Sequence, residues 1–182
     1  MSRDFIQAAH ESAVVWANKL LARNPNNWTI LDTETTGLNR NDEIVQVSVI
    51  NGAGNILLDN VLIKPAFAAI CPEAMAVHHI TPDILKDAPS FREVEPCILN
   101  AIHGKLLCIY NAAYDLRMLS QSGRQAQLPI EGVTCAMLEY AKWVGDWDQY
   151  HSSFRWQKLQ GGDHSSLGDC FATLDLIRRM AE

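Results

Sequence analysis

Several features that define special classes of protein are missing from this chain of 182 residues. No apolar run approaches the ~18 residues that a membrane-spanning helix needs. Residues 1–10 lack the basic start and the apolar block of a secretory signal. The five cysteines form no C-x-x-C pair, and such an odd, scattered set is typical of reduced thiols in a cytoplasm. We therefore predict a cytoplasmic protein without membrane contact.

Basic charge is also scarce, because 15 Lys and Arg residues face 21 Asp and Glu residues, for a net charge of −6. This balance argues against a protein that coats nucleic acid through bulk positive charge. It is compatible with an enzyme whose acidic site takes a metal ion before it meets a phosphate. The hydrophobic fraction of 48% suits a soluble domain with a sizeable core, and it excludes disorder, collagen and coiled coil as the main organisation.

The order of the predicted segments indicates an α/β fold. Residues 4–22 carry the apolar stripe of a helix, which the cluster at 24–27 ends. Strand-like segments at 28–32, 43–50 and 56–64 then predict an antiparallel meander. After them, helical segments surround one apolar strand at 105–110, which predicts parallel strands. The predicted later helices are 72–79, 82–86, 90–103, 113–122, 134–143 and 166–180, with a Trp-rich irregular region at 143–156.

We therefore predict a mixed central sheet, an antiparallel meander followed by parallel strands, flanked by helices. Residues 1–27 form an N-terminal helical extension, and residues 28–182 form the main domain. The apolar stripe of the extension must be buried, so we expect it to dock on the main domain or on a second copy of the chain.

The segment that says most about chemistry is the end of the first strand, where Asp32 and Glu34 lie two residues apart. Residues at that spacing point to the same face of a strand, so two carboxylates stand side by side. Like charges this close repel each other, and a divalent cation such as Mg²⁺ or Mn²⁺ relieves the conflict. The alternative is a polar strand end that leads into a Thr/Gly turn.

Three further residues are candidates, each with a simpler explanation, which for His164 is that of an ordinary surface histidine. Asp115 follows the apolar strand at the start of a helix, where an acid also stabilises the helix dipole. Asp169 stands three residues after Ser166, which fits a capping box. His164 lies on the loop before that helix, where an imidazole that changes charge near neutral pH suits a general base.

Taken together and in this order, these elements resemble the DnaQ-like 3′–5′ exonucleases of the DEDDh group, nearest in look to proofreading subunits and exonuclease X-like members. The resemblance covers roughly residues 28–180 and implies an RNase H-like fold. The matching motifs are DTETTGL at 32–38, VHHIT at 77–81, NAAYD at 111–115 and HSSLGD at 164–169.

The resemblance implies a role for each motif residue. Two Mg²⁺ or Mn²⁺ ions would be held by four acids, namely Asp32, Glu34, Asp115 and Asp169. His164 would deprotonate the attacking water. The implied substrate-binding residues are Thr35, Leu38, His78, Asn111 and Tyr114. Leu38 would pack against the terminal base, and Tyr114 would either stack on a base or belong to the core.

The chain also departs from the family pattern. Relatives often have His before the N-A-x-[FY]-D motif, where this chain has Tyr110, and H-R-A-L-x-D where it has two serines after His164. Three tryptophans either line a nucleotide groove or pack a loop onto the core, namely Trp143, Trp147 and Trp156. Four basic residues form a DNA track or a solvated surface, namely Arg117, Lys142, Arg155 and Lys158.

The sequence thus predicts a metal-dependent 3′–5′ exonuclease that releases nucleoside 5′-monophosphates from single-stranded or frayed 3′ ends of DNA. RNA 3′-end trimming is the rival within the enzyme class, and a catalytically idle nucleic-acid-binding module is the rival outside it. The chain ends at Glu182, directly after the last predicted helix, so we expect a stand-alone enzyme rather than a polymerase partner. A homodimer is compatible with the sequence.

Overall fold

The protein was analysed as a computed structural model that describes residues 2–123 and 128–182. A mixed five-stranded sheet forms its centre, in the order β3-β2-β1-β4-β5. Its strands are β1 (Trp28–Thr35), β2 (Ile44–Asn51), β3 (Ile56–Leu62), β4 (Leu106–Ile109) and β5 (Gly132–Cys135). β2 pairs antiparallel with β1 and β3, whereas β4 pairs parallel with β1 and β5. The predicted change from an antiparallel meander to parallel strands is therefore confirmed.

Helices cover both faces of this sheet. They are α1 (Arg3–Leu21), α2 (Pro72–His78), α3 (Phe91–Ile102), α4 (Ala112–Ser122), α5 (Ala136–Val144) and α6 (Ser166–Met180). A small antiparallel hairpin of β6 (Trp147–Asp148) and β7 (Ser153–Phe154) lies within the predicted Trp-rich region. In the described part of the chain, every helix is too short or too polar to cross a bilayer.

Two local predictions differ from the structure. Residues 82–86 form successive turns instead of a helix, because only isolated bonds such as Lys86 N–H to the Asp83 carbonyl close there. So short a segment does not offset the free energy of helix nucleation. β5 at the edge of the sheet was not predicted, because so short a segment carries little periodicity, and the helix predicted from residue 134 begins only at Ala136.

The alternation of side chains along β1 decides where its acids point. Trp28 and Ile30 pack in the core beneath α1, α5 and α6, whereas Leu31 packs in the core beneath α3 and α4. Because side chains alternate along a strand, Asp32 and Glu34 share the face of Trp28 and Ile30. The acidic pair therefore projects toward α6.

The N-terminal helix α1 docks on the main domain. Ala13, Ala17 and Leu20 are buried in the same core cluster as residues of β1 and α6. The Trp16 indole N–H donates to Thr134 Oγ1 of β5 at 2.8 Å. Two docking surfaces were expected for this helix, the main domain of the same chain and a second copy of the chain. In the structure the helix packs on the main domain of the same chain. The division of the chain at residues 27 and 28 stays a prediction.

Candidate active site

The acids of β1 meet an acid of α6 at the end of the central strand. One carboxylate oxygen from each of Asp32, Glu34 and Asp169 lies within 4.8 Å of the other two. α6 lies directly on the sheet here, since Cys170 Sγ is 3.7 Å from the Ile30 carbonyl and 3.6 Å from the Ser48 carbonyl. Three of the four acids predicted as metal ligands are thus side by side.

This crowding disfavours the charged forms of the acids. Burial, followed by the negative charges of its acidic neighbours, raises the pKa of Asp32 well above its usual range. The same causes raise the pKa of Glu34 to about 8. Burial also raises the pKa of Asp169. Because these acids disfavour one another's charged forms, a bound cation would stabilise the ionised carboxylates.

The fourth acid, Asp115, approaches from the other side of the sheet. It is 4% exposed, and its Oδ1 accepts a 2.7 Å hydrogen bond from Thr33 Oγ1. Thr33 points to the face opposite Asp32 and Glu34, so this bond holds Asp115 on the side of α4. Asp115 consequently lies outside the compact group of three, although its charge is close enough to raise the pKa of Asp32.

The start of α6 presents His164 and Asp169 on a tightly folded loop. His164 is exposed and has a left-handed backbone with φ of 60°. Its backbone N–H donates to Asp169 Oδ1 at 3.3 Å, which links the two residues without the imidazole. A Cβ at Gly162 would collide with the Asp169 carboxylate, so the absence of a side chain there permits this approach.

The alternative explanation of Asp169, a capping box with Ser166, is wrong. Ser165 is the N-cap, and its Oγ accepts from the Gly168 N–H at 3.1 Å. Asp169 turns its carboxylate toward the backbone of His164, so it does not reach back to Ser166. Ser166 is fully buried and its Oγ lies 3.1 Å from Gln46 Oε1. The two serines that depart from the family pattern therefore cap and anchor the helix.

The turn after β1 is closed by Asp42. Its carboxylate accepts from Thr36 Oγ1 at 2.8 Å and from the Asn39 backbone N–H. A Cβ on Gly37 would lie 2.8 Å from Asp42 Oδ2, so glycine is needed for this close approach. Part of the DTETTGL motif is thereby explained by backbone geometry.

A cleft of about 490 Å³ opens beside Glu34. Four of the predicted substrate-binding residues line it, namely Thr35, Leu38, His78 and Tyr114. Leu38 is 78% exposed, which is unusual for a leucine and leaves its side chain free for contact. Asn111 is not among the lining residues; it is the N-cap residue of α4.

From the α2 side of the cleft, sequence reasoning named only His78 as a substrate-binding residue, although more of this helix lines the cleft. The additional lining residues there are Cys71, Glu73, Ala74 and Val77. Ala74 and Val77 are three apart, so they share one face of the helix. The predicted helix beginning at Pro72, next to the VHHIT motif, contained the signal that could have identified them.

Two predicted substrate-binding side chains are held by other parts of the protein. His78 Nδ1 accepts from the Ile80 N–H at 3.0 Å, so Nε2 carries the proton and donates to the Thr35 carbonyl at 3.1 Å. Burial also lowers the pKa of His78, which keeps it neutral. The Tyr114 hydroxyl lies 2.6 Å from Thr35 Oγ1 and 3.0 Å from the Gly37 carbonyl. Both side chains form walls of the cleft.

The tryptophans divide between core and surface. Trp143 packs against the core beneath α1 and stacks on His10, and Trp147 packs against Phe5. Trp156 is 70% exposed. Trp143 and Trp147 therefore pack within the protein, which is one of the two alternatives given for them.

The basic residues are largely engaged with the protein itself. The Arg117 guanidinium lies 5.2 Å from the Tyr114 ring centroid and donates to the Leu38 carbonyl at 3.3 Å. Lys142 pairs with Glu139 at 2.8 Å. Arg155 lies 3.4 Å from Asp148. Tyr110 donates its hydroxyl to the Gln157 carbonyl at 2.6 Å, which ties the segment after the hairpin to the end of β4.

Comparison with known proteins agrees with this geometry. The sequence model of the exonuclease family matches residues 29–177. The chain is 33% identical over 171 residues to the uncharacterized exonuclease CP81 of Escherichia phage 186, over 84% of this chain and 87% of that protein. It is 35% identical over 117 residues to the DNA polymerase III subunit epsilon of Haemophilus influenzae, over 59% of this chain and 45% of epsilon.

Solved structures share the fold. Exonuclease X in complex with 5′ overhanging duplex DNA matches with a TM-score of 0.58 and 27% identity, over 84% of this chain and 90% of that one. The nuclease domain of 3′hExo, a DEDDh family member bound to rAMP, matches with a TM-score of 0.58 at 17% identity, which supports the fold alone.

The fold and the acidic site therefore define a nuclease built on an RNase H-like sheet, as predicted. The chain belongs to the DnaQ-like DEDDh family of 3′–5′ exonucleases.

Proposed function

We propose that this protein removes nucleoside 5′-monophosphates from single-stranded or frayed 3′ ends of DNA, with two divalent cations and a histidine base. The observation that carries this proposal is the group of three carboxylates beside an open apolar cleft. Glu34 belongs to both, so a nucleotide in the cleft would lie directly beside the acids.

The donor set suits hard cations. All three grouped ligands are carboxylates, and Mg²⁺ and Mn²⁺ prefer oxygen donors. Each ion pair found within residues 2–123 and 128–182 involves other acids, so no Lys or Arg offsets this charge. The proposed ligands are Asp32, Glu34, Asp115 and Asp169. When bound, the cations would polarise the scissile phosphate and lower the pKa of the attacking water.

His164 is the proposed general base. Its side chain is exposed at the start of α6, and its backbone N–H is hydrogen-bonded to Asp169. The neutral imidazole can accept a proton from a water that lies next to the acids. Because the loop is held through the backbone, the ring nitrogens are left for this proton transfer.

The cleft is the proposed site of the 3′-terminal nucleotide. Leu38 offers an exposed apolar surface on which the terminal base would pack. Tyr114 is fixed by Thr35 and by Arg117, so it acts as a rigid wall for that base. We propose that Thr35 and His78 contribute by shaping this wall, and that Asn111 contributes through the start of α4.

DNA is the proposed substrate because of the relatives. Exonuclease X was solved with 5′ overhanging duplex DNA, and the epsilon relatives are named as DNA polymerase III subunits. The alignment spans less than half of those epsilon subunits, so a polymerase partner is not proposed. Activity in a cytoplasm and a homodimeric state stay predictions of the sequence.

The test uses a DNA oligonucleotide with a 5′ label and an RNA of the same sequence. With Mg²⁺ or Mn²⁺ we expect a ladder of products shortened from the 3′ end and free nucleoside 5′-monophosphates. EDTA should abolish both. Faster degradation of the RNA would favour the trimming alternative, and intact DNA and RNA with every metal would favour an idle binding module.

A further inference from the structure

A buried polar network ties α6 to two strands that carry none of the proposed ligands of the acidic site. We call Gln46, Ser48, Asn60 and Ser166 the polar quartet. Hydrogen bonds connect its members: the Asn60 N–H donates to Ser48 Oγ at 2.9 Å, and the Ser48 and Ser166 hydroxyls lie 2.8 Å apart. Ser166 Oγ in turn donates to Gln46 Oε1 at 3.1 Å. Ser48 and Ser166 are fully buried.

The quartet lies directly beside the acids. In the pairing of β1 with β2, Gln46 is opposite Glu34 and Ser48 is opposite Asp32. Residues directly opposite each other share one face of a sheet. The same face therefore carries the two acids of β1 and the two residues that anchor α6.

Side chains of β2 and β3 accept hydrogen bonds from the first backbone amides of α6. The Ser166 N–H donates to Gln46 Oε1 at 3.0 Å, and the Leu167 N–H donates to Asn60 Oδ1 at 3.1 Å. Only the third amide, of Gly168, is capped locally by Ser165. A cap from a neighbouring residue only satisfies the amides at the helix terminus. A cap from a strand of the sheet also fixes the position of the helix relative to that strand.

The backbone of β3 is distorted in a way that serves this contact. Asn60 has a left-handed conformation with φ of 43°, and the pairing of β2 with β3 changes register between Val47 and Val49. An irregularity of this kind re-aims a side chain, and asparagine tolerates the left-handed region better than most residues. Here it directs Asn60 toward α6.

We infer that Gln46 and Asn60 are positioning residues, which set the distance of Asp169 and His164 from the acids of β1. The inference rests on the proposed function. Asp169 lies one turn into α6, and His164 lies two residues before the first residue of α6. A shift of the helix start would therefore move both residues. Neither Gln46 nor Asn60 lines the cleft, so substrate contacts should not depend on them.

The test compares Asn60→Gly with Asn60→Asp. Glycine accepts the left-handed backbone but removes the acceptor, whereas aspartate keeps an acceptor oxygen for the Leu167 N–H. We expect Asn60→Gly to weaken Mn²⁺ binding and lower kcat by roughly 10–100-fold, as loss of residues behind metal ligands does. KM for single-stranded DNA should stay unchanged, and Asn60→Asp should restore both quantities.

Ser90→Ala is the matched control, because Ser90 begins α3 through a cap that is entirely local. It should lower the melting temperature while Mn²⁺ affinity and kcat stay parental. Should Asn60→Gly fail to fold, Gln46→Met removes another acceptor of the quartet at similar volume.

Each outcome decides the inference. Folded variants with lower melting temperatures but parental Mn²⁺ affinity and kcat would show a structural role alone and overturn it. If the parent binds Mn²⁺ but leaves DNA intact, the proposed function fails, and weaker Mn²⁺ binding by Asn60→Gly would still support the positioning role. A parent that binds no Mn²⁺ would overturn both.

Discussion

The two halves of the acidic site are built in different ways. Asp32 and Glu34 belong to a strand that pairs with β2 from Thr29 to Thr35, with one register shift just after Glu34, so the sheet backbone fixes both. Asp169 and His164 belong to an exposed loop and the first turn of a helix, which depend on a left-handed histidine, a close approach at Gly162 and borrowed caps. The first half is set by the backbone, and the second by side chains that lie far away in sequence.

This difference predicts where each half is sensitive. Next to the β1 acids, hydrogen bonds between strands persist whichever side chains are present. At the start of α6, single side-chain oxygens bind the first backbone amides, so we expect one substitution in β2 or β3 to move this end of the helix. The predictions below address this comparison in order of decreasing effect.

Removing an acid from the β1 half should have the largest effect. We expect Asp32→Asn to reduce DNA hydrolysis to background, because it removes a proposed cation ligand. In EDTA the same variant should be more stable than the parent at pH 8, since one repelling charge is gone from a group whose pKa values are raised. Hydrolysis of labelled DNA and urea unfolding in EDTA measure the two effects.

The sign of the pH dependence follows from the raised pKa values. Below an ordinary carboxyl pKa of about 4, the acids are protonated in both states and do not affect stability. As the pH rises toward the Glu34 pKa of about 8, the metal-free folded state is progressively disfavoured. The parent should therefore lose stability across this window, and Asp32→Asn should lose less. Asp59→Asn, at an exposed acid of β3, should match the parent in both measurements.

Removing the imidazole from the α6 half should have the second largest effect. We expect His164→Asn to lower kcat by roughly 10²–10⁴-fold, the range of a general base. Asparagine tolerates the left-handed backbone and keeps the N–H that bonds to Asp169, so Mn²⁺ affinity should stay parental. The pH–rate profile should also change. Because a water bound to the metal ions would also titrate, the profile of the variant has to be compared with that of the parent.

His79 supplies a matched control for this substitution. It is exposed, has a φ of 59° and does not line the cleft. His79→Asn should leave kcat and the pH–rate profile unchanged. If His164→Asn retained the parental rate and profile, the histidine would be a bystander.

The same contrast explains what the sequence could predict. The capping box of Ser90 and Glu93 is local: the two residues stand three apart, the spacing typical of such a box, and the Ser90 N–H donates to Glu93 at 2.8 Å. The similar spacing of Ser166 and Asp169 misled, because the caps of α6 come from Gln46 and Asn60. Contacts between segments over 100 residues apart leave no spacing signal.

The candidate site divides in the same way. Asp32 and Glu34 followed from the period of a strand, which the sheet obeys. The position of Asp115 behind Thr33 did not follow from it, because it depends on how α4 packs against the far face. From the wall formed by α2, the sequence indicated His78 through the VHHIT motif but not Glu73 or Ala74, since their place in the cleft depends on how α2 packs.

A core substitution in α1 tests whether the N-terminal helix belongs to the folding unit. Leu20 is 3% exposed, so Leu20→Ala should lower the free energy of unfolding by about 2–5 kcal/mol. Because α1 contributes no residue to the acidic group or to the cleft, kcat of the folded enzyme should stay parental. Val15→Ala, at a half-exposed position of the same helix, should change stability by less than about 0.5 kcal/mol. Equal stability of the two variants would show that α1 is not packed in solution.

The smallest effect is expected at the local cap of α3. The hydroxyl and the N–H of Ser90 both donate to Glu93, and these bonds lower the pKa of Glu93. Their contribution to stability is present above the ordinary pKa of about 4.3 and is lost as the pH falls through the lowered value. Glu93→Gln keeps a carbonyl acceptor but loses the charge. It should therefore be slightly less stable than the parent at pH 7 and equal to it well below pH 4 in urea unfolding, with parental kcat and Mn²⁺ affinity. A fall in kcat would show that local caps also position the site, and the contrast between the two helix starts would fail.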